Sequence, residues 1–299
     1  MKLDPMNAKP VLEALKQRYS CRDFADKPVD QALIDDLIDT GLMAASGGNL
    51  QPYHIIVVRD PEIKRELRRL GGGQMFVEKA DVLLVFVLDW SRYAVYTRMK
   101  HAPFRANEQL LHLVIGIEDV ICAAQTVESC AYLSGLGSCY VGGVLETGAD
   151  ISSLLGLPQG CFPIVMLAMG YPAPGSNHKP SKLRRDMMVS YERYQPKTQE
   201  DIFEAYEDKY RAMDRHSLPH GAEAQDKVLK KLLENLRLTY PEDTAMAYLD
   251  EICSNGGYNE AQRRYGIHYG VATIRERSRQ MLDGMRQVGC DPLKTLAEE

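Results

Sequence analysis

Three short segments carry polar and basic groups where a plain connector needs none. Arg18-Tyr19-Ser20-Cys21-Arg22 sets two guanidinium groups around a hydroxyl. Ser46-Gly47-Gly48-Asn49-Leu50-Gln51-Pro52 combines a flexible turn with hydroxyl and amide side chains. Lys179-Pro180-Ser181-Lys182-Leu183-Arg184-Arg185 is a second basic cluster, far along the chain. Arg presents paired N–H donors that match phosphate oxygens, while Lys and Ser add a point charge and a hydroxyl donor. Each cluster alone has the composition of a solvated surface. Together, the first and third suit one dianionic phosphate.

Other chemistries find less support. Gly135-Leu136-Gly137-Ser138-Cys139-Tyr140-Val141-Gly142-Gly143 is glycine-rich, but a dinucleotide fingerprint needs glycine where Tyr140 stands. The stretch also joins helix to strand, the reverse of that motif. Neither a P-loop nor a nucleophile elbow is present. His216 and His220 have metal-pair spacing, but Pro219 breaks any helix that would align them. No metal site is expected. Cys139 lacks a base to activate it, and a buried thiol is the expected state.

The elements that must position these residues follow from composition and periodicity. The chain has 299 residues, 45% hydrophobic and 26% charged, with net charge -5. That composition suits a globular protein with a sizeable core and argues against bulk binding to nucleic acid or an anionic membrane. Seven cysteines without a Cys-x-x-Cys pair suit reduced thiols in a cytoplasmic protein. The N-terminus shows no secretory signal. The longest apolar run, residues 80–88, is short of the ~20 residues that span a bilayer.

Helices are expected over residues 9–19, 30–45, 62–70, 110–133 and 150–155, and strands over 54–58, 81–89, 138–145 and 162–169. Residues 90–109 read as irregular, aromatic and basic. Gly135-Leu136-Gly137 reads as the stop of the long helix. Strands buried on both faces among helices give an α+β layered fold. From about residue 196 strand-like segments disappear. Charged helices are expected over 198–215, 222–238, 243–253 and 267–288, the last with Val271, Ile274, Met281, Met285 and Val288 placed to dock.

With these elements in place, four segments taken in order resemble the FMN-dependent nitroreductase family. They are Arg18-Tyr19-Ser20-x-Arg22, Ala44-Ala45-Ser46-x-x-Asn49-x-Gln51-Pro52, Gly135-Leu136-Gly137 with Val141-Gly142-Gly143, and Gly170-Tyr171-Pro172 followed by Lys182-x-Arg184. The resemblance covers about residues 10–195. It implies a nitroreductase-like layered fold with a mainly antiparallel central sheet flanked by helices. Residues 1–195 would form the FMN-binding domain; residues 196–299 lie outside the resemblance and are expected to form a helical extension packing on the dimer or over the active site.

The resemblance further implies a homodimer with FMN at the subunit interface. Arg18, Ser20, Lys182 and Arg184 would hold phosphate and ribityl chain, with Tyr19 beside them. Arg22 would approach the pyrimidine edge of the ring. Ser46 and Asn49 would come from the partner subunit, and Gly47 and Gln51 would also bind the cofactor. Tyr140, Val141, Gly142 and Gly143 would border the ring, the glycines offering backbone N–H groups near N5. Tyr93, Tyr96 and Phe104 would shape the acceptor pocket. Tyr53 stands where the family often has Trp. Arg184 and Arg185 compete for one phosphate role.

The implied activity is a ping-pong, two-electron reduction of a nitroaromatic, quinone or related conjugated small molecule, with NAD(P)H as donor. It needs no catalytic side-chain acid or base, because the cofactor carries the reaction. Two alternatives remain at this point. One is a different flavin chemistry, fragmentation of the flavin or reductive dehalogenation. The other is a non-catalytic flavin-binding protein whose tail engages a partner.

Overall fold

The computed structural model describes residues 5–213 and 215–298. Two compact units divide the chain: Met1–Lys179 with Gln280–Glu299, and Pro180–Arg279. The division therefore falls elsewhere than the change of sequence character at 195/196, and the C-terminal segment counts with the first unit.

The first unit runs α1 (Pro5–Lys16), α2 (Gln31–Gly41), β1 (Tyr53–Val58), α3 (Pro61–Leu70), α4 (Met75–Lys79), β2 (Val82–Asp89), α5 (Ser91–Met99), α6 (Leu110–Leu133), β3 (Gly137–Val141), α7 (Gly148–Leu154) and β4 (Cys161–Gly170). The four strands form one antiparallel sheet in the order β1-β2-β4-β3. All eight residues of β2 are buried, which explains its continuous apolar sequence. Leu84, Phe86 and Leu88 enter the core shared with α6, whereas Leu83, Val85 and Val87 enter the opposite one with Leu67, Val77 and Ile151. Fully burying one such side chain contributes about 1.5–3 kcal/mol.

Helix α6 supplies the broadest support. Gly116, Val120, Ala123, Ala124, Val127 and Ala131 form its buried side, and small residues let it lie close to the sheet. Its 24 residues, which include an 18-residue window of mean hydropathy 1.6, are long and apolar enough to cross a membrane. A count of unbroken apolar residues does not register it, because polar residues interrupt the helix. Its outer side carries Leu111, Val114 and Ile121, which are 68%, 43% and 41% exposed.

Residues 90–109 are not irregular. They hold α5 and a single 3-10 turn at Ala106–Glu108. The buried carboxylate of Asp89 accepts the Ser91 N–H at 2.9 Å and its hydroxyl at 2.6 Å, tying down the first turn of α5. Strand β3 stops at Val141, short of the expected 145, because Gly143–Leu145 turns into a 3-10 helix.

The second unit contains α8 (Arg185–Met188), α9 (Gln199–Tyr210), α10 (Ala222–Arg237), α11 (Glu242–Ser254), the π-helix Gln262–His268 and α12 (Val271–Gln287), which continues into the first unit. It is not free of strands: β5 (His216–Ser217) pairs with β6 (Gly257–Tyr258). The carboxylate of Glu260, 1% exposed, gathers the His216 ring nitrogen at 2.8 Å and the Nε atoms of Arg263 and Arg264 at 2.5 and 2.8 Å. Of the stripe expected to dock, Met281 and Met285 pack on the first unit's core with Val288, while Val271 and Ile274 are exposed.

Candidate cofactor site

The segment after α1 runs along the open edge of β3. Ser20 forms a parallel bridge with Ser138, and the Cys21 N–H donates to the Ser138 carbonyl at 2.8 Å. Glu128 of α6 is 1% exposed in this region. Its Oε1 accepts Arg18 Nη1 at 2.8 Å and the Ser138 hydroxyl at 3.2 Å, and its Oε2 accepts Gln125 Nε2 at 2.8 Å. A carboxylate this deep is stable only with such partners. The Arg18 side chain itself is 29% exposed, so its guanidinium is anchored from behind and reaches solvent in front.

Beside this pair, the Tyr140 hydroxyl is buried without a protein partner. Burial, and secondarily the Glu128 charge, hold its phenol well above the ordinary range. It is therefore a neutral donor with nothing to donate to. An orphaned hydroxyl next to a half-free cation fits an acceptor-rich anion such as a flavin phosphate. Arg22 is exposed and lies 5.9 Å from the Phe76 ring centroid of α4, a cation–π contact that steadies it. Tyr19 packs edge-on against Tyr132 at 6.4 Å. Cys139 is a buried thiol, its pKa pushed up by desolvation.

The two glycines after Val141 differ in kind. A Cβ built on Gly143 would stand 2.8 Å from the Gly71 carbonyl oxygen, whereas one on Gly142 would meet nothing within 4 Å. Gly143 is thus set by backbone packing, and Gly142 is the one that opens outward. The Gly71-Gly72-Gly73 run beside it escaped the sequence reading. Three consecutive glycines directly after a helix were the available signal; Gly72 and Gly73 have φ of 93° and 75°.

The second cluster is the Ser46–Gln51 turn, at the other end of the sheet edge-to-edge path, before β1. Gly48, Asn49 and Gln51 all have positive φ, of 57°, 55° and 48°. For the two non-glycine residues this costs on the order of 1–3 kcal/mol each, so the surroundings must enforce it. Asp119 Oδ1 accepts the Gly47 N–H at 2.8 Å. Ser46 Oγ accepts the Gln51 N–H at 3.3 Å, and Gln51 Nε2 donates to the Leu42 carbonyl at 3.2 Å. The Tyr93 hydroxyl donates to the Leu50 carbonyl at 2.9 Å, and Arg92 donates to the Tyr53 carbonyl at 2.6 Å.

Among the expected pocket residues, Tyr93 and Phe104 pack around Trp90, with ring centroids 6.1 and 6.2 Å away, while Tyr96 is 58% exposed. Lys182 and Arg184 belong to the second unit and are exposed. There Arg184 forms a pair with Asp186 at 3.3 Å, and Arg185 donates to the Tyr191 hydroxyl at 3.0 Å.

Comparison with known proteins decides what this arrangement belongs to. The Nitroreductase family profile matches residues 15–171, more than half of the chain. The chain belongs to the nitroreductase family. A relative from Staphylococcus saprophyticus, named NADPH-dependent oxidoreductase, is 33% identical over 171 residues, covering 57% of this chain and 68% of its own. A solved structure from Bacteroides fragilis NCTC 9343 superposes with a TM-score of 0.70 at 25% identity, over 93% of this chain and 98% of its own. The NADPH:FMN oxidoreductase of Vibrio harveyi, solved with NAD+, gives a TM-score of 0.62 at 26% identity, over 81% and 96%. The fold is accordingly nitroreductase-like, α+β, with an antiparallel sheet among helices and a helical C-terminal part. The family match includes Arg18–Arg22, Ser46–Gln51 and Tyr140–Gly143; Lys182 and Arg184 lie beyond it.

Proposed function

We propose that this nitroreductase-family chain is an NAD(P)H-dependent FMN oxidoreductase that reduces a nitroaromatic, a quinone or a related conjugated acceptor by two electrons in a ping-pong cycle. The observation that carries the reading is the half-free Arg18 guanidinium, anchored by Glu128 beside the orphaned Tyr140 hydroxyl. The oxidoreductase and NADPH:FMN oxidoreductase names of the relatives support the donor and the cofactor. Bound FMN supplies the hydride uptake and release.

The residues of the chain bind and orient. Arg18 and Ser20 hold the phosphate, and Tyr19 walls the ribityl chain. Lys182 and Arg184 of the second unit are phosphate-binding candidates on the resemblance alone. Arg22 keeps a cation where reduction places negative charge. Tyr140 and Val141 border the cofactor, and Gly142 and Gly143 lend backbone N–H donors. Ser46, Gly47, Asn49 and Gln51 of a second copy complete the pocket. Tyr93, Tyr96 and Phe104 shape the acceptor pocket, Tyr96 from an exposed position and the other two packed around Trp90.

A homodimer is part of the proposal. It is supported by the exposed apolar side of α6 and by Met43, which is 79% exposed. A cytoplasmic setting is also part of it, supported by seven cysteines that are all free thiols. Anaerobic steady-state oxidation of NADPH and NADH, with a quinone, a nitroaromatic and free FMN offered in turn, tests the acceptor class. Turnover with the first two supports it. Turnover with neither, while the protein holds FMN, overturns the acceptor assignment.

A further inference from the structure

Helix α6 carries two buried carboxylates in an otherwise apolar or small-residue buried side. Asp119 and Glu128 are 4% and 1% exposed. Burying a charge costs several kcal/mol unless it is closely partnered. Each is partnered with one of the two clusters described above. Glu128 holds Arg18, 110 positions away in sequence. Asp119 holds Gly47, 72 positions away. The two carboxylates are nine positions apart, which along a helix is about 13 Å.

Neither carboxylate is placed to touch a ligand, since both are covered by protein. They act through the groups they hold. Glu128 takes one Nη of Arg18 and leaves the rest of the fork free to meet an anion. Asp119 gives the Gly47 N–H a charged acceptor, which is stronger than a neutral one. It thereby pins the start of a turn in which three residues have positive φ. Its second oxygen, Oδ2, is buried without a hydrogen-bond partner, so the bond to the turn is what offsets the burial of this carboxylate. On the outer side of α6, exposed Ile121 lies between the two anchors, and exposed Leu111 and Val114 precede Asp119.

We propose that Asp119 and Glu128 are the positioning residues of a cofactor site divided between two copies of the chain. Glu128 sets Arg18 in its own half-site, and Asp119 sets the Ser46–Gln51 turn that completes the half-site of the other copy. One rigid helix thus fixes the separation between what each copy keeps and what it lends. The inference rests on the FMN reading above and deepens it.

Full-length Glu128→Ala, Asp119→Ala, Glu128→Gln and Asp119→Asn test it. Each apoprotein is titrated with FMN by flavin fluorescence, with dimer mass and melting followed in parallel. Each alanine variant is expected to bind FMN at least about tenfold more weakly. The amide variants, which keep the acceptor oxygen, are expected within about threefold of wild type. The two alanine variants are then mixed and allowed to exchange subunits. A mixed dimer has one site with both defects and one with none, so about a quarter of all sites should recover wild-type affinity.

Wild-type affinity in both alanine variants would overturn the inference and leave the FMN reading standing. Weakened binding without recovery on mixing would overturn the division of roles between copies. If an alanine variant lacks a cooperative melt, Glu128→Leu or Asp119→Leu, apolar replacements without the charge, take its place in the same mixture. A wild-type protein that takes up no FMN removes the functional reading itself, and this inference with it.

Discussion

Arg105 and Glu298 stand 193 positions apart and meet as a two-bond pair, at 2.7 and 3.0 Å. Glu108 joins them, accepting Arg105 Nε at 2.5 Å and Lys294 Nζ at 2.6 Å. The C-terminal segment is therefore fastened to the stretch that follows α5 and contains Phe104. All these side chains reach water, so the fastening is electrostatic and salt-sensitive. Arg105→Ala should speed amide hydrogen exchange over residues 100–109 at low salt, with the sheet unchanged. High salt should produce the same change in the wild type. Exchange unaffected by either treatment would show that packing, not charge, holds the segment.

Glu260 is the charged centre of the second unit. The hydrogen bond from Arg263, aided by His216 and the Arg264 charge, lowers its pKa to about 2. A folded-state pKa below the ordinary 4.5 means that its contribution to stability is complete above about pH 4.5. The contribution is lost as pH falls toward about 2. Glu260→Ala leaves two arginines and a histidine without their shared acceptor. It should cost on the order of 3 kcal/mol, read as a shift in the denaturation midpoint of the full chain at pH 7. A shift that persists unchanged at pH 2 would contradict the account, since there the wild type has lost most of the same interaction.

The paired glycines after β3 should separate under substitution. Gly143→Ala places a methyl 2.8 Å from the Gly71 carbonyl and should destabilise by about 1–3 kcal/mol. Gly142→Ala meets open space and should leave the melting temperature within a degree or so of wild type. Under the proposed role its methyl intrudes on the ring, so FMN affinity should fall several-fold. Equal melting temperatures for the two variants would contradict the packing argument.

The outer side of α6 should respond to charge as an interface does. Leu111→Glu and Ile121→Glu replace exposed apolar groups, so a monomeric protein would lose little stability from either. In a dimer that buries them, a charge costs several kcal/mol. The expected outcome is a monomer in sedimentation, accompanied by loss of FMN. A dimer that persists in both variants would locate the interface elsewhere.

Local pattern reading recovered the sheet strands and α6, whose bounds at Leu110 and Leu133 follow from periodicity up to the glycine at 135. It also singled out the residues around Arg18 and Ser46 as candidates, because their types are unusual for connectors. It missed α5, whose aromatic and basic residues have no clear apolar period and whose start is tied by Asp89 from the preceding strand. Asp119 and Glu128 also escaped it, since an acid inside an apolar helix gives no hint of a partner. Their partners are 72 and 110 positions away, and only the folded chain brings them together. The Gly71 approach to Gly143 is invisible for the same reason.

The central claim is that this chain holds FMN and passes electrons from NAD(P)H through it. Anaerobic titration of the FMN-loaded protein with NADPH and NADH, followed by flavin absorbance, tests it most directly. The account predicts FMN stoichiometric with the chain, its visible absorbance bleached by at least one nicotinamide and restored by an added quinone. A protein that stays colourless after FMN is supplied, or whose flavin neither nicotinamide bleaches, would contradict it.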